Sequence, residues 1–117
     1  MKKVLVIDDD REMGRLLKTL FELEGYQVVV VSHYSDILPT IQAERPDVVL
    51  MDVHIQGKRT MDTVRSIRRE PDWANLPIIM TSGSDMRREC MSAGATLFVL
   101  KPFLPDELVH VVTNLLA

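Results

Sequence analysis

The chain has a single cysteine, Cys90, so no disulfide can form within it, which fits a reducing cytosol. No stretch approaches the ~18 consecutive apolar residues that span a bilayer. The basic start Met1-Lys2-Lys3 looks like the front of an export signal, but the apolar run behind it, Val4 to Ile7, is short and meets three aspartates. A cytoplasmic location without membrane contact is therefore expected. Positive charge is scarce as well: Lys and Arg number 14 against 17 Asp and Glu, for a net charge of -3. Such a chain has no basic footprint, which argues against direct binding of nucleic acid. The three histidines, His33, His54 and His110, share no metal-ligand spacing. Repeats, low-complexity tracts and linkers are absent too, so residues 1–117 read as one domain around one core.

What the chain does have is alternation. Five β-rich apolar runs, Lys3–Ile7, Gln27–Val31, Asp47–Met51, Ile78–Thr81 and Thr96–Leu100, are separated by stretches of helical period. Several are apolar throughout, as parallel strands covered on both faces should be. Met13, Leu16, Leu17, Leu20 and Phe21 mark a first helix, capped by Asp10 and closed by Gly25. Ile37, Leu38 and Ile41 mark a second, which Pro39 obliges to start near Asp36 or Ile37 or to kink. Met61, Val64 and Ile67 mark a third; Met86, Cys90 and Ala93 mark a short fourth, ended by Gly94. A fifth starts near Pro105, with Asp106 and Glu107 at the positive end of its dipole. The order predicts a three-layer α/β sandwich around a five-stranded parallel sheet with right-handed crossovers. In such folds the ligand crevice lies beyond the carboxyl ends of the strands.

Those ends carry the chemistry. Asp8-Asp9-Asp10 follows the first strand, Asp52 the third, Ser82 the fourth and Lys101-Pro102 the fifth. Any one of these is more simply a turn former or a helix cap. Four of them, each ending a different strand, point to a shared site. Clustered carboxylates repel unless a cation or proton intervenes, and an all-oxygen donor set suits a hard ion such as Mg²⁺. A lysine can pair with a carboxylate and with phosphoryl oxygens, a serine hydroxyl can donate to such an oxygen, and an aspartate can itself accept a phosphoryl group.

With these motifs the whole chain resembles the receiver domain of bacterial two-component response regulators. The matching segments are Asp8-Asp9, Pro46 to Asp52, Leu76 to Gly83, and Ala93-Gly94-Ala95 leading to Lys101-Pro102-Phe103. The resemblance implies a flavodoxin-like, doubly wound sheet of strand order 2-1-3-4-5. It implies Asp52 as phosphoacceptor, and Asp8, Asp9, Asp52 and the backbone carbonyl of His54 as ligands of Mg²⁺, with Mn²⁺ able to substitute. Ser82 and Lys101 would contact the phosphoryl group, Phe98 would be the switch aromatic that turns inward on phosphorylation, and Lys101-Pro102 would be a cis peptide. Thr81 is the rival hydroxyl to Ser82. His54 and Ser84 would tune the lifetime of the phosphoryl group.

The implied protein is a switch that catalyses only its own phosphorylation and dephosphorylation, rather than a turnover enzyme. A sensor histidine kinase or phosphotransfer protein would supply the phosphoryl group. A downstream effector, an attached output domain or a second copy joined on phosphorylation would read the face built by the fourth helix, fifth strand and fifth helix. Departures from the family pattern are Gln56 in place of a usual proline, Thr60 in place of a usual glycine, and a stretch from Ser82 to Lys101 a few residues short. They predict a less rigid loop after Asp52 and an abbreviated fourth-helix region. The competing readings are a pseudo-receiver serving only protein contacts, an aspartyl phosphatase and a flavin carrier. The phosphatase lacks its second aspartate, since His54 stands there, and Asp8-Asp9-Asp10 would repel a flavin phosphate. The arginines Arg65, Arg68, Arg69, Arg87 and Arg88 read as solvated helix faces.

Overall fold

Val, Ile, Leu and Met fill the apolar runs, and a pleated strand turns alternate side chains to opposite faces. In the computed structural model, which describes residues 1–117, this alternation builds two cores. Leu5, Ile7, Val49 and Met51 pack on one face, and Val4, Val6, Val48 and Leu50 on the other. The strands are β1 (Lys3–Ile7), β2 (Gln27–Val31), β3 (Val48–Asp52), β4 (His54–Ile55), β5 (Lys58–Arg59), β6 (Ile78–Ser82) and β7 (Leu97–Leu100). The helices are α1 (Arg11–Leu23), α2 (Ile37–Glu44), α3 (Met61–Arg69), α4 (Arg87–Ala93) and α5 (Pro105–Leu116). The main sheet runs β2-β1-β3-β6-β7, parallel throughout. Counting its five strands in chain order, that is the 2-1-3-4-5 order expected. Helices α1 and α5 cover one face through Leu17, Phe21, Leu108 and Val112. Helices α2, α3 and α4 cover the other through Ile37, Ile41, Val64, Ile67 and Cys90.

The helix ends form where their residues demand. Asp10 accepts hydrogen bonds from the backbone N–H groups of Glu12 and Met13, so it is the N-terminal cap of α1. Helix α2 begins at Ile37 after a 3-10 turn over Tyr34–Asp36. Pro39 thus falls in its first turn, where no intrahelical donor is lost. Gly94 closes α4 at φ 116, a left-handed value that glycine adopts freely. Pro105 opens α5, and Leu104 before it supplies no side-chain cap.

Several boundaries differ from the sequence expectation, and the fourth main strand runs Ile78–Ser82 rather than Ile78–Thr81. The third strand runs Val48–Asp52 rather than Asp47–Met51, because the Asp47 carboxylate turns to accept from the Lys3 backbone N–H at 2.7 Å. The fifth main strand starts at Leu97 rather than Thr96, whose hydroxyl bonds instead to Ile78 N–H. Met86 precedes α4 as its cap residue, which leaves that helix seven residues, Arg87–Ala93, and so the region is abbreviated as expected. The loop after Asp52 was expected to be lax. Instead β4 and β5 pair as a hairpin, and Thr60 is fully buried behind it.

Candidate functional site

Strand register brings the site together. Ile7 lies beside Met51 in the sheet, Asp52 beside Thr81, and Ser82 beside Leu100. The residues at or just past these positions, Asp8, Asp52, Ser82 and Lys101, therefore meet at one edge. Backbone bonds carry the pairing past the strand ends: Asp8 N–H donates to Val31 O, Val53 N–H to Thr81 O, and Lys101 N–H to Ser82 O. Carboxylate oxygens of Asp8, Asp9 and Asp52 lie within 4.8 Å of one another. Lys101 Nζ donates to Asp52 Oδ2 at 2.9 Å and stands 3.6 Å from Asp8 Oδ2. The peptide Lys101-Pro102 is cis, as the resemblance implied.

Burial differs sharply within the triad: Asp8 is 5% exposed, whereas Asp9 is open to solvent. Removal from water lifts the Asp8 pKa above its ordinary 3.8, against the pull of the Asp10 N–H and of the Lys101 charge. Burial alone would lower the Lys101 pKa. The hydrogen bond and charge of Asp52, with the charge of Asp8, outweigh it and raise the value above 10.5. The ammonium is thus held charged against two carboxylates.

Each carboxylate has at least one oxygen already engaged. Asp8 Oδ1 accepts from Asp10 N–H, Asp9 Oδ2 from Gln56 N–H and Asp52 Oδ2 from Lys101. Three hard oxygen donors still converge, a donor set that fits an octahedral ion such as Mg²⁺ and not a soft metal. The imidazole of His54 is not among the clustered ligand groups, and His54 N–H faces Asp52 Oδ1 at 3.4 Å. Ser82 is buried, and its hydroxyl accepts from Ser84 N–H at 3.3 Å.

Phe98, expected as the aromatic that turns inward on phosphorylation, is 5% exposed in this structure, with the Arg87 guanidinium 5.5 Å from its ring centre. Arg68 requires a correction. It was read as a solvated face, yet its guanidinium donates to the carbonyls of Trp73, Leu76 and Gly94 and to the Thr96 hydroxyl. Burial lowers its pKa. Thr60 went unassigned as well: its hydroxyl donates to Asp52 O at 2.9 Å and approaches Val53 O at 3.2 Å, which braces the backbone behind the site. A threonine directly before a helix was the only local signal for that role. A concavity of about 1020 Å³, lined by Leu38, Arg45, Asp47 and Trp73 among others, contains none of the expected site residues.

Comparison with known proteins agrees with this geometry. Residues 4–113 match the family of the response regulator receiver domain. The chain belongs to that family. This receiver is 31% identical over 111 residues to the DNA-binding response regulator MtrA of Mycolicibacterium smegmatis, covering 92% of this chain. It spans 47% of that relative's length, about half. Among solved structures, the receiver domain of Francisella response regulator 1452 superposes with a TM-score of 0.90 at 28% identity, covering 99% of this chain and 97% of that one. The chemotaxis response regulator CheY4 of Vibrio cholerae superposes with a TM-score of 0.90 at 26% identity, covering 97% and 98%. The receiver's fold is therefore flavodoxin-like, and it is a module of two-component signalling.

Proposed function

We propose that this receiver is a phosphorylation-activated switch in which Asp52 takes a phosphoryl group from a phosphohistidine of a sensor histidine kinase or phosphotransfer protein. The observation that carries the reading is the Lys101 ammonium at 2.9 Å from Asp52, within a group of three carboxylates that has no other cation. An Asp52 oxygen attacks phosphorus, the donor's N–P bond breaks, and the electron pair leaves with the imidazole. Hydrolysis later returns the carboxylate and inorganic phosphate. Lys101 then balances charge on the phosphoryl oxygens, and Ser82 donates its hydroxyl to one of them. Asp8, Asp9, Asp52 and the His54 carbonyl would hold Mg²⁺ or Mn²⁺, which supplies neutralising charge to the transferring oxygens.

Phosphorylation would draw in the Ser82 hydroxyl, act through Phe98 and bias the face formed by α4, β7 and α5. Met91, Leu97 and Leu100 are large apolar residues exposed on α4 and β7, and they form the face an effector, an attached output domain or a second copy would read. Residues 1–117 would act as one receiver unit in the cytoplasm, away from nucleic acid. The intact set of site residues favours this over a pseudo-receiver that serves contacts alone. The test is intact-mass spectrometry after incubation with Mg²⁺ and acetyl phosphate. One phosphoryl adduct is expected on the native protein and none on Asp52→Asn; undiminished labelling of that variant would refute the assignment.

A further inference from the structure

The turn between β4 and β5 holds a residue whose backbone and side chain reach two different parts of the molecule. Gln56 is left-handed at φ 53 and Gly57 follows at φ 76. Two successive positive values are what a type I′ hairpin turn requires, and Asn or Gly adopts the first of them at less cost than Gln. In that turn Gln56 N–H donates to Asp9 Oδ2 at 2.8 Å, while Gln56 Oε1 accepts from Tyr34 N–H at 2.9 Å. Tyr34 opens the 3-10 turn after β2. Its hydroxyl accepts from Thr63 of α3 at 3.0 Å, and Lys58 Nζ stands 5.0 Å from its ring centre. A continuous path therefore runs from the acidic pocket through residue 56 to the β2–α2 segment and α3.

A proline at position 56 could supply neither link, since it has no N–H and its φ is confined near −65°. With Oδ2 taken by Gln56, Asp9 has only Oδ1 free of hydrogen bonds, and its carboxylate plane is set before a cation arrives. We propose that Gln56 is a positioning residue that holds Asp9 in its cation-facing orientation and transmits occupancy of the pocket to Tyr34. This rests on the Mg²⁺ pocket proposed above. A cation drawing on Oδ1 shifts the carboxylate, the turn amide follows it, and the glutamine side chain carries the movement to the Tyr34 N–H.

The test is backbone ¹⁵N NMR during titration with MgCl₂ against NaCl of matched ionic strength, on the native protein, Gln56→Gly and Gln56→Pro. Glycine keeps the N–H and tolerates the positive φ, but it lacks the side-chain amide. In the native protein the amides of residues 56 and 34 should shift with one common Kd. In Gln56→Gly the residue 56 amide should still shift at an unchanged Kd while the Tyr34 response is lost. Gln56→Pro, without the N–H, should bind Mg²⁺ about tenfold more weakly, the loss typical when a group orienting a metal ligand is removed. In metal-free native protein the Gln56 amide should be protected from hydrogen exchange, a reading that needs neither metal nor variant. An undiminished Tyr34 response in Gln56→Gly, or an unprotected Gln56 amide, overturns the inference while the pocket stands. No Mg²⁺ response at residues 8 to 10 of the native protein removes the pocket itself, and the inference with it.

Discussion

Replacing Asp8 by asparagine should stabilise the metal-free protein. The Asp8 carboxylate is 5% exposed, and it sits within 4.8 Å of the carboxylates of Asp9 and Asp52. At an effective dielectric of about 20, each repulsion at that distance is about 3.5 kcal/mol, and the attraction of Lys101 at 3.6 Å is about 4.6 kcal/mol. Burial is the largest cost to the charged carboxylate, and the repulsions of Asp52 and Asp10 add to it against the Asp10 N–H and the Lys101 charge. Solvent around Asp9 screens much of its share, so a net gain of about 1 kcal/mol is expected, a rise of about 4 °C in Tm. Asparagine keeps Oδ1 for the Asp10 N–H, so that bond survives.

The pH dependence has a definite sign. The folded-state pKa of Asp8 lies above its ordinary 3.8, so the native carboxyl holds its proton more tightly than the unfolded one. The advantage of Asp8→Asn is full above the raised value, shrinks as pH falls through it, and is gone below 3.8. Metal reverses the ranking. With a Kd of order 1 mM, Mg²⁺ at 10 mM adds about 1.4 kcal/mol to the native protein and far less to a variant missing a ligand. The assay is thermal melting by circular dichroism of both proteins, in MgCl₂ and in NaCl of matched ionic strength, near neutral pH and near pH 4. A metal-free Asp8→Asn less stable than the native protein, or equal Mg²⁺ shifts in the two, would refute the reasoning.

Thr60→Val should cost about 1–2 kcal/mol in urea denaturation, since it removes a buried hydroxyl from Asp52 O and Val53 O at nearly constant volume. Gly94→Ala should destabilise by about 1–3 kcal/mol in the same assay. Its added Cβ would lie 2.8 Å from Arg68 Cγ, at a φ of 116 that suits glycine alone. Changing His54 and Ser84 together should alter the decay of the phosphorylated protein several-fold while labelling still occurs. Their N–H groups face Asp52 Oδ1 and the Ser82 hydroxyl, and unchanged decay would show that they do not border the path of the attacking water.

How much was legible depended on the range of the interactions involved. Strand and helix positions are set by periods of about 2 and 3.6 residues, which are local, so the sequence by itself determined the five main strands, the five helices and the order in which they occur. The caps Asp10 and Gly94 and the first-turn Pro39 were readable for the same reason. Strand-end chemistry was readable because a parallel sheet sends every strand's carboxyl end to one edge. That rule brought Asp8, Asp52, Ser82 and Lys101 together before any coordinate did.

Tertiary structure decided whatever depends on partners distant in sequence. Arg68 looks solvated on its own helix, and the carbonyls of Trp73 and Leu76 in the segment after α3, with that of Gly94 at the end of α4, draw its guanidinium inward. Phe98 lies on an edge strand, and its burial depends on the core it shares with Cys90 and Ala93 of α4. The bond from Gln56 to Asp9 joins residues 47 positions apart and depends on a left-handed turn that glutamine does not advertise. Local periodicity specifies which face a residue occupies. The hydrogen-bond partner it meets there is specified by the docking of segments far apart in the chain.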